Sequence, residues 1–151
     1  LPVTKLDGLP LKDFDPNGKD HEENPDQVQN AVDGSASTAW VTQAYKTADF
    51  SGIKPGVGLL LDLRKVTALH GVHVAFTAKG ANVEIRVADP ALTSAPTSID
   101  QTTVVAGAQG KQVADMTPVS GTRARYVVIW ITKLPQDGKT FRVGISELAL
   151  T

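Results

Sequence analysis

Gly58 to Lys65 reads GLLLDLRK. On an extended chain Leu59, Leu61 and Leu63 share one face and Leu60, Asp62 and Arg64 the other, the period-2 pattern of a half-buried strand. The pattern repeats downstream. GVHVAFTA (71–78) turns Val72, Val74 and Phe76 inward, and ANVEIRVAD (81–89) does the same with Val83, Ile85 and Val87. Lys79-Gly80-Ala81-Asn82 between them reads as a hairpin turn. Strands are also expected at 101–106 and 112–116, after a Pro/Ser/Thr/Ala loop at 89–100 and on either side of a glycine-rich turn at 107–110. ARYVVIWITKL (124–134) is apolar on both faces, as in the middle of a sandwich or beneath covering loops. Roughly seven or eight short strands, with almost no helical periodicity, predict an all-β fold: an antiparallel β-sandwich.

The closing strand, Phe141 to Leu150, carries a break in phase. Phe141, Val143 and Ile145 are odd-numbered, whereas Leu148 and Leu150 are even-numbered. Moving the inward face by one residue requires a β-bulge, and its slot is Ser146-Glu147. Two readings of Glu147 stay open: a carboxylate aimed by the bulge at a specific partner, or a solvent-facing residue on an edge.

Upstream of the strands, Asn30 to Trp40 reads NAVDGSASTAW. It joins an Asp-Gly turn to the hydroxyls of Ser35, Ser37 and Thr38, with Trp40 as an anchor into the core. Such hydroxyls satisfy backbone groups or ligate a hard cation. Residues 1–29 are polar and proline-rich and read as an irregular entry segment, with at most a short strand or helical turn near Leu6 to Leu11; residues 30–151 then carry the body of the sandwich, the whole chain forming a single globular domain. Val41 to Val57 is a long loop whose Tyr45 and Phe50 are the best ligand-binding candidates, or else the aromatics of a flap tucked onto the sandwich.

The chain has 151 residues, 15 Lys+Arg, 16 Asp+Glu, a formal charge of −1 and no cysteine. That suits one domain with a core of its own. Nothing in it forms the basic footprint of a nucleic-acid-binding protein, and no run reaches the roughly 20 apolar residues of a membrane helix. The start at Leu1 rather than Met suggests a piece of a longer protein. Asp13, Asp15, Asn17, Gly18 and Asp20 resemble the first half of a calcium loop, but Asn24 stands where the bidentate Glu belongs. A solvated acidic turn is the alternative. His70 and His73 would point to opposite faces of a strand, which argues against a shared metal. Gly138-Lys139-Thr140 lacks the first glycine of a phosphate loop, and no nucleophile elbow or zinc-protease motif is present, so the chain is expected not to be an enzyme.

Asp33-Gly34, Thr38 and Trp40, then Leu59, Leu61, Asp62 and Leu63, then Ser146, Glu147, Leu148 and Leu150, together resemble the discoidin or coagulation-factor 5/8 type C family, whose galactose-binding-like fold is shared with several carbohydrate-binding modules. The resemblance spans about Ala31 to Leu150. It implies an eight-stranded antiparallel jelly-roll β-sandwich and a structural calcium joining the early loop to the last strand, held by carbonyls near Asn30 and Ser35, the Asp33 carboxylate, Thr38 and Glu147. VADPALTSAP (87–96) replaces the family's aromatic sugar-binding signature. The FDP-x-G-x-D-x-E-N stretch (Phe14 to Asn24) and KPGVGLLLDL (54–63) also resemble the extracytoplasmic C-terminal domains of actinobacterial MviN-like proteins, which join a lipid II flippase-like membrane part to a pseudokinase. That implies a non-catalytic module outside the membrane on a membrane-anchored parent, with cell-wall glycan or peptidoglycan precursor as ligand, or an envelope protein as partner.

Overall fold

The computed structural model describes residues 2–151. Eleven strands follow one another: β1 (Leu11–Phe14), β2 (Trp40–Val41), β3 (Val57–Ala68), β4 (Val72–Phe76), β5 (Asn82–Ala88), β6 (Thr102–Gln109), β7 (Val113–Met116), β8 (Arg123–Lys133), β9 (Gln136–Asp137), β10 (Thr140–Phe141) and β11 (Gly144–Leu150). A five-stranded sheet in the order β1-β3-β8-β5-β6 faces a four-stranded sheet in the order β2-β11-β4-β7, and β9 and β10 pair as a separate small hairpin. All pairings are antiparallel. The antiparallel sandwich is as the alternation predicts.

Two local expectations change. Residues 1–29 are not irregular throughout: β1 adds an edge to the five-stranded sheet through Leu11 opposite Leu61 and Phe14 opposite Gly58. Its four residues, LKDF, do not alternate, because Leu11 packs between the sheets and Phe14 on the opposite face, so no period marks the strand within a proline-rich stretch. The turn at Lys79–Asn82 does not close a hairpin, since β4 and β5 lie in different sheets. A connection that crosses the sandwich and one that reverses within a sheet use the same turn residues; only partner choice separates them. The β6–β7 turn crosses in the same way.

Leu59, Leu61, Val74, Ile85, Ile129, Ile131 and Ile145 are wholly buried between the sheets. On the opposite face of β8, Tyr126, Val128 and Trp130 form a second cluster with Leu60, Ala88 and Phe14. Leu92 and Ile99 of the connection after β5 pack over it. That cover explains why β8 is apolar on both faces. The bulge falls where the phase break placed it, between Ile145 and Glu147 opposite β4.

The register also fixes which ends are which. Thr4 donates its amide to the Leu150 carbonyl (2.8 Å), and Val72 stands opposite Leu150, so both chain ends meet at the start of β4. Phe76 stands opposite Ile145. The loops after β4 and before β11 therefore lie at the other end.

Candidate functional site

At the end away from the termini, a groove of about 690 Å³ is lined by residues of four separate segments: Asn24 and Gln27, Val41 to Ala44, Thr77 and Ala78, and Gln136 to Val143. Each wall is held by its own hydrogen bonds. Asn24 sits in the left-handed region (φ 54) and donates through Nδ2 to the Val41 carbonyl at 2.6 Å. Gln27, on the 3-10 turn Pro25–Ala31, accepts the Val41 amide at 3.2 Å. Thr77 Oγ1 accepts the Gly144 amide at 2.9 Å, and Arg142 donates through Nε to Asp137 at 2.5 Å. What these bonds leave unused faces the groove as amide, hydroxyl and guanidinium groups. No aromatic ring lines it.

Beneath the Val41–Ala44 wall is a buried polar network that no sequence signal announced. Glu23 is fully buried; its carboxylate accepts the Tyr45 hydroxyl at 2.9 Å and the Gln43 amide at 2.8 Å. Lys54 lies 3.0 Å from Asp15 and 3.5 Å from Glu23, with all three side chains nearly or wholly out of solvent. Burial pushes the Glu23 carboxyl above its usual range, against the pull of the Gln43 amide, the Tyr45 hydroxyl and the Lys54 charge. Burial, with the Glu23 charge close by, drives the Tyr45 phenol up as well, so it stays a donor. Trp40 closes the set by donating through Nε1 to the Glu23 carbonyl at 2.7 Å. It anchors its loop as expected, with no exposed surface.

Tyr45 and Phe50, expected as ligand-binding aromatics, are core residues instead, 6% and 0% exposed. Their rings meet edge to face at 5.1 Å, and the Tyr45 hydroxyl is spent on Glu23. They are the tether of the long loop, and Phe50, Ser51 and Gly52 all adopt positive φ to make that inward turn. The acidic stretch is likewise not a calcium loop. Asp13 accepts the Glu23 amide at 2.6 Å and Asp15 turns inward to Lys54, so the carboxylates diverge.

The expected calcium cage is brought together only in part. Gly34 (φ 77) makes the left-handed turn, Asp33 accepts the Ser35 amide at 2.9 Å and the Thr38 hydroxyl, and Thr38 also reaches the Ser35 carbonyl at 3.4 Å. Those hydrogen bonds, the Thr38 hydroxyl first, hold the Asp33 carboxyl below its usual range. Asn30 spends its side-chain amide on the Ala39 carbonyl. Glu147 does not join them. It lies on the outer face of the four-stranded sheet, 3.7 Å from His73 Nε2, while His73 Nδ1 is 2.6 Å from Asp115. The bulge moves Leu148 inward and leaves Glu147 pointing out. A bridge from the loop to the last strand therefore does not fit these residues. His70 and His73 border one shallow groove near the termini rather than opposite faces, because His70 precedes β4. Among the described residues no three His, Cys, Asp or Glu side chains converge as metal ligands.

No protein-family profile matches the chain. Solved structures do resemble it. Chitosan-binding module 2 from a chitosanase/glucanase of Paenibacillus sp. IK-5, in complex with chitotriose, superposes with a TM-score of 0.64 at 19% identity, over 97% of this chain and 98% of that one. The family 32 carbohydrate-binding module of AlyQ, bound to 4,5-unsaturated mannuronic acid, gives 0.64 at 18%, over 100% and 98%. The family 32 module of NanJ from C. perfringens, in complex with galactose, gives 0.63 at 16%, over 98% and 96%. At these identities the likeness establishes the fold: a galactose-binding-like β-sandwich of the kind that carbohydrate-binding modules share.

Proposed function

We propose that the chain is a non-catalytic glycan-binding module whose ligand lies in the groove between the Val41–Ala44, Thr77–Ala78 and Gln136–Val143 segments. One observation carries the reading: in a sandwich whose solved likenesses are carbohydrate-binding modules, the loop end remote from the termini forms an open groove walled by Gln27, Gln43, Thr77, Gln136 and Arg142. A rigid sheet scaffold presenting polar groups on loops suits recognition of hydroxyl-rich ligands. We assign the module to the outer side of the membrane, on a larger envelope protein of the MviN-like kind, with cell-wall glycan or peptidoglycan precursor as ligand. The two stretches behind that resemblance meet in the fold, through the pairing of Asp15 with Lys54. Protease added to intact cells tests the placing, since only an external module is cut.

The binding test is an amide chemical-shift titration with chito-oligosaccharides, galactosides, uronic acid oligomers and peptidoglycan fragments. Shifts are expected at Gln43, Ala44, Thr77, Ala78 and Arg142, and Ala78→Trp, which fills the groove from an exposed position, is expected to abolish them. If every oligosaccharide leaves all amides unmoved, the glycan reading falls. The lack of an aromatic platform in the groove favours a second reading, a protein-interaction or spacer domain, which that result would leave standing.

A structural calcium enters this reading only as a ligand of the early loop, through Asp33, the Ser35 carbonyl and Thr38, with water completing the roughly six to eight oxygens calcium takes. Millimolar calcium against chelator is then expected to raise the unfolding midpoint of the wild type and of Glu147→Ala alike, and to leave Asp33→Ala unmoved. Loss of the response in Glu147→Ala would restore the loop-to-strand bridge instead.

A further inference from the structure

Charge is unevenly placed around the groove. The chain as a whole carries −1. The connections at 77–81, 110–112 and 133–143 hold Lys79, Lys111, Lys133, Lys139 and Arg142 against the single carboxylate of Asp137. These connections are one surface: the Gly80 amide donates to the Gly110 carbonyl at 3.1 Å, the Gly110 amide to the Ala81 carbonyl at 2.9 Å, and the Thr77 amide to the Gly144 carbonyl at 2.9 Å. The acids beside Asn24 and Gln27 of the facing wall are Glu22, Glu23 and Asp26, of which Glu23 is buried beneath that wall with its carboxylate on the Gln43 amide.

Within the groove, Arg142 is the only cation among the lining residues, and its side chain is 51% exposed. Asp137 takes its Nε, and its two Nη groups have no hydrogen-bond partner among the described residues. A guanidinium held at Nε is fixed in orientation while its outer fork remains free, which is the geometry that meets a planar carboxylate with two parallel hydrogen bonds. With no ring to stack on, a sugar must be held here by polar bonds. Charge-assisted bonds are about twice as strong as neutral ones.

Resting on the glycan reading above, we infer that the ligand of this groove is a carboxylate-bearing glycan, a uronic acid or a sugar substituted with a carboxylic acid, whose carboxylate is taken by the Arg142 fork while the surrounding lysines draw the polyanion in.

The test is calorimetric titration of the purified chain with a uronic acid trisaccharide and with the same trisaccharide after carboxyl reduction to the neutral sugar. The acid form is expected to bind at least about tenfold more tightly at low salt, with the advantage shrinking as salt rises. Arg142→Gln is expected to remove that advantage, so that the variant binds the acid and the neutral trisaccharide with equal affinity, with an unaltered unfolding midpoint confirming the fold. Equal affinity for the two trisaccharides, or an advantage that survives Arg142→Gln, overturns this inference and leaves the glycan reading intact. Binding of neither trisaccharide, nor of any sugar in the wider titration, takes both down.

Discussion

Lys54→Met is expected to destabilise the fold by about 3–5 kcal/mol near neutral pH, the range for removing one partner of a buried ion pair. Asp15 and Glu23 are 3% and 0% exposed, and Lys54 is the cation within 4 Å of both. Without it two carboxylates share one dry site, and Glu23 must ionise against desolvation and against the Asp15 charge. The pH dependence distinguishes this cause from lost packing. Glu23 already binds its proton more tightly folded than unfolded, where the ordinary value is 4.5. A group raised in this way contributes most to stability below its unfolded value, and that contribution is lost as pH rises toward the folded one. Lys54 pulls the folded value down, so its removal extends the window upward. The variant should therefore regain stability on acidification from about pH 7.5 toward about pH 5, and adding Glu23→Gln should restore part of what Lys54→Met loses. Urea unfolding midpoints at the two pH values measure this; an equal loss at both would mean that the lysine stem, not its charge, matters. The groove should respond too, because Glu23 also holds the Gln43 amide.

Gly58→Ala is the second large effect, with an expected cost above about 3 kcal/mol, the upper end of overpacking penalties. Gly58 lies in β3 between β1 and β8, opposite Phe14 on one side and Trp130 on the other. A β-carbon there would stand 1.8 Å from the Ile129 carbonyl oxygen and 2.9 Å from its carbon. Both are backbone atoms of a central strand, so no rotamer change relieves the clash; β3 and β8 must part. Gly107→Ala is the control. Its added carbon would meet the Val83 carbonyl oxygen at 3.2 Å on the outermost strand β6, where a shift of a few tenths of an ångström suffices, and its cost should stay within about 1 kcal/mol. Denaturant unfolding of the two variants side by side decides the matter: a Gly58→Ala protein within 1 kcal/mol of wild type would mean the sheet is far more deformable at that point than its packing implies.

Much of the architecture was legible because alternation is a local property. Leu59, Leu61 and Leu63 declare their inward face without reference to any partner, Tyr126 to Ile131 declare burial on both faces, and the odd-to-even switch between Ile145 and Leu148 locates the bulge to within a residue. Trp40 could be read as an anchor and Asp33-Gly34 as a turn for the same reason: the controlling chemistry lies within a few residues.

The site depended on tertiary structure. Its walls come from four segments, and Gln43, Thr77, Gln136 and Arg142 are unremarkable until the sandwich brings them to one end. The sequence marked Tyr45 and Phe50 as candidates because aromatics in a long loop look available, yet the partner that consumes Tyr45 is Glu23, far upstream in a stretch that reads as solvated. Alternation told which way Glu147 could turn but not what stood on either side; the outer face held His73 and Asp115 rather than the early loop. Pattern along a chain records each residue's relation to water, because hydrophobic burial is non-directional and acts residue by residue. Which polar groups face one another depends on directional bonds and charges between distant segments, and only the packed sandwich specifies those.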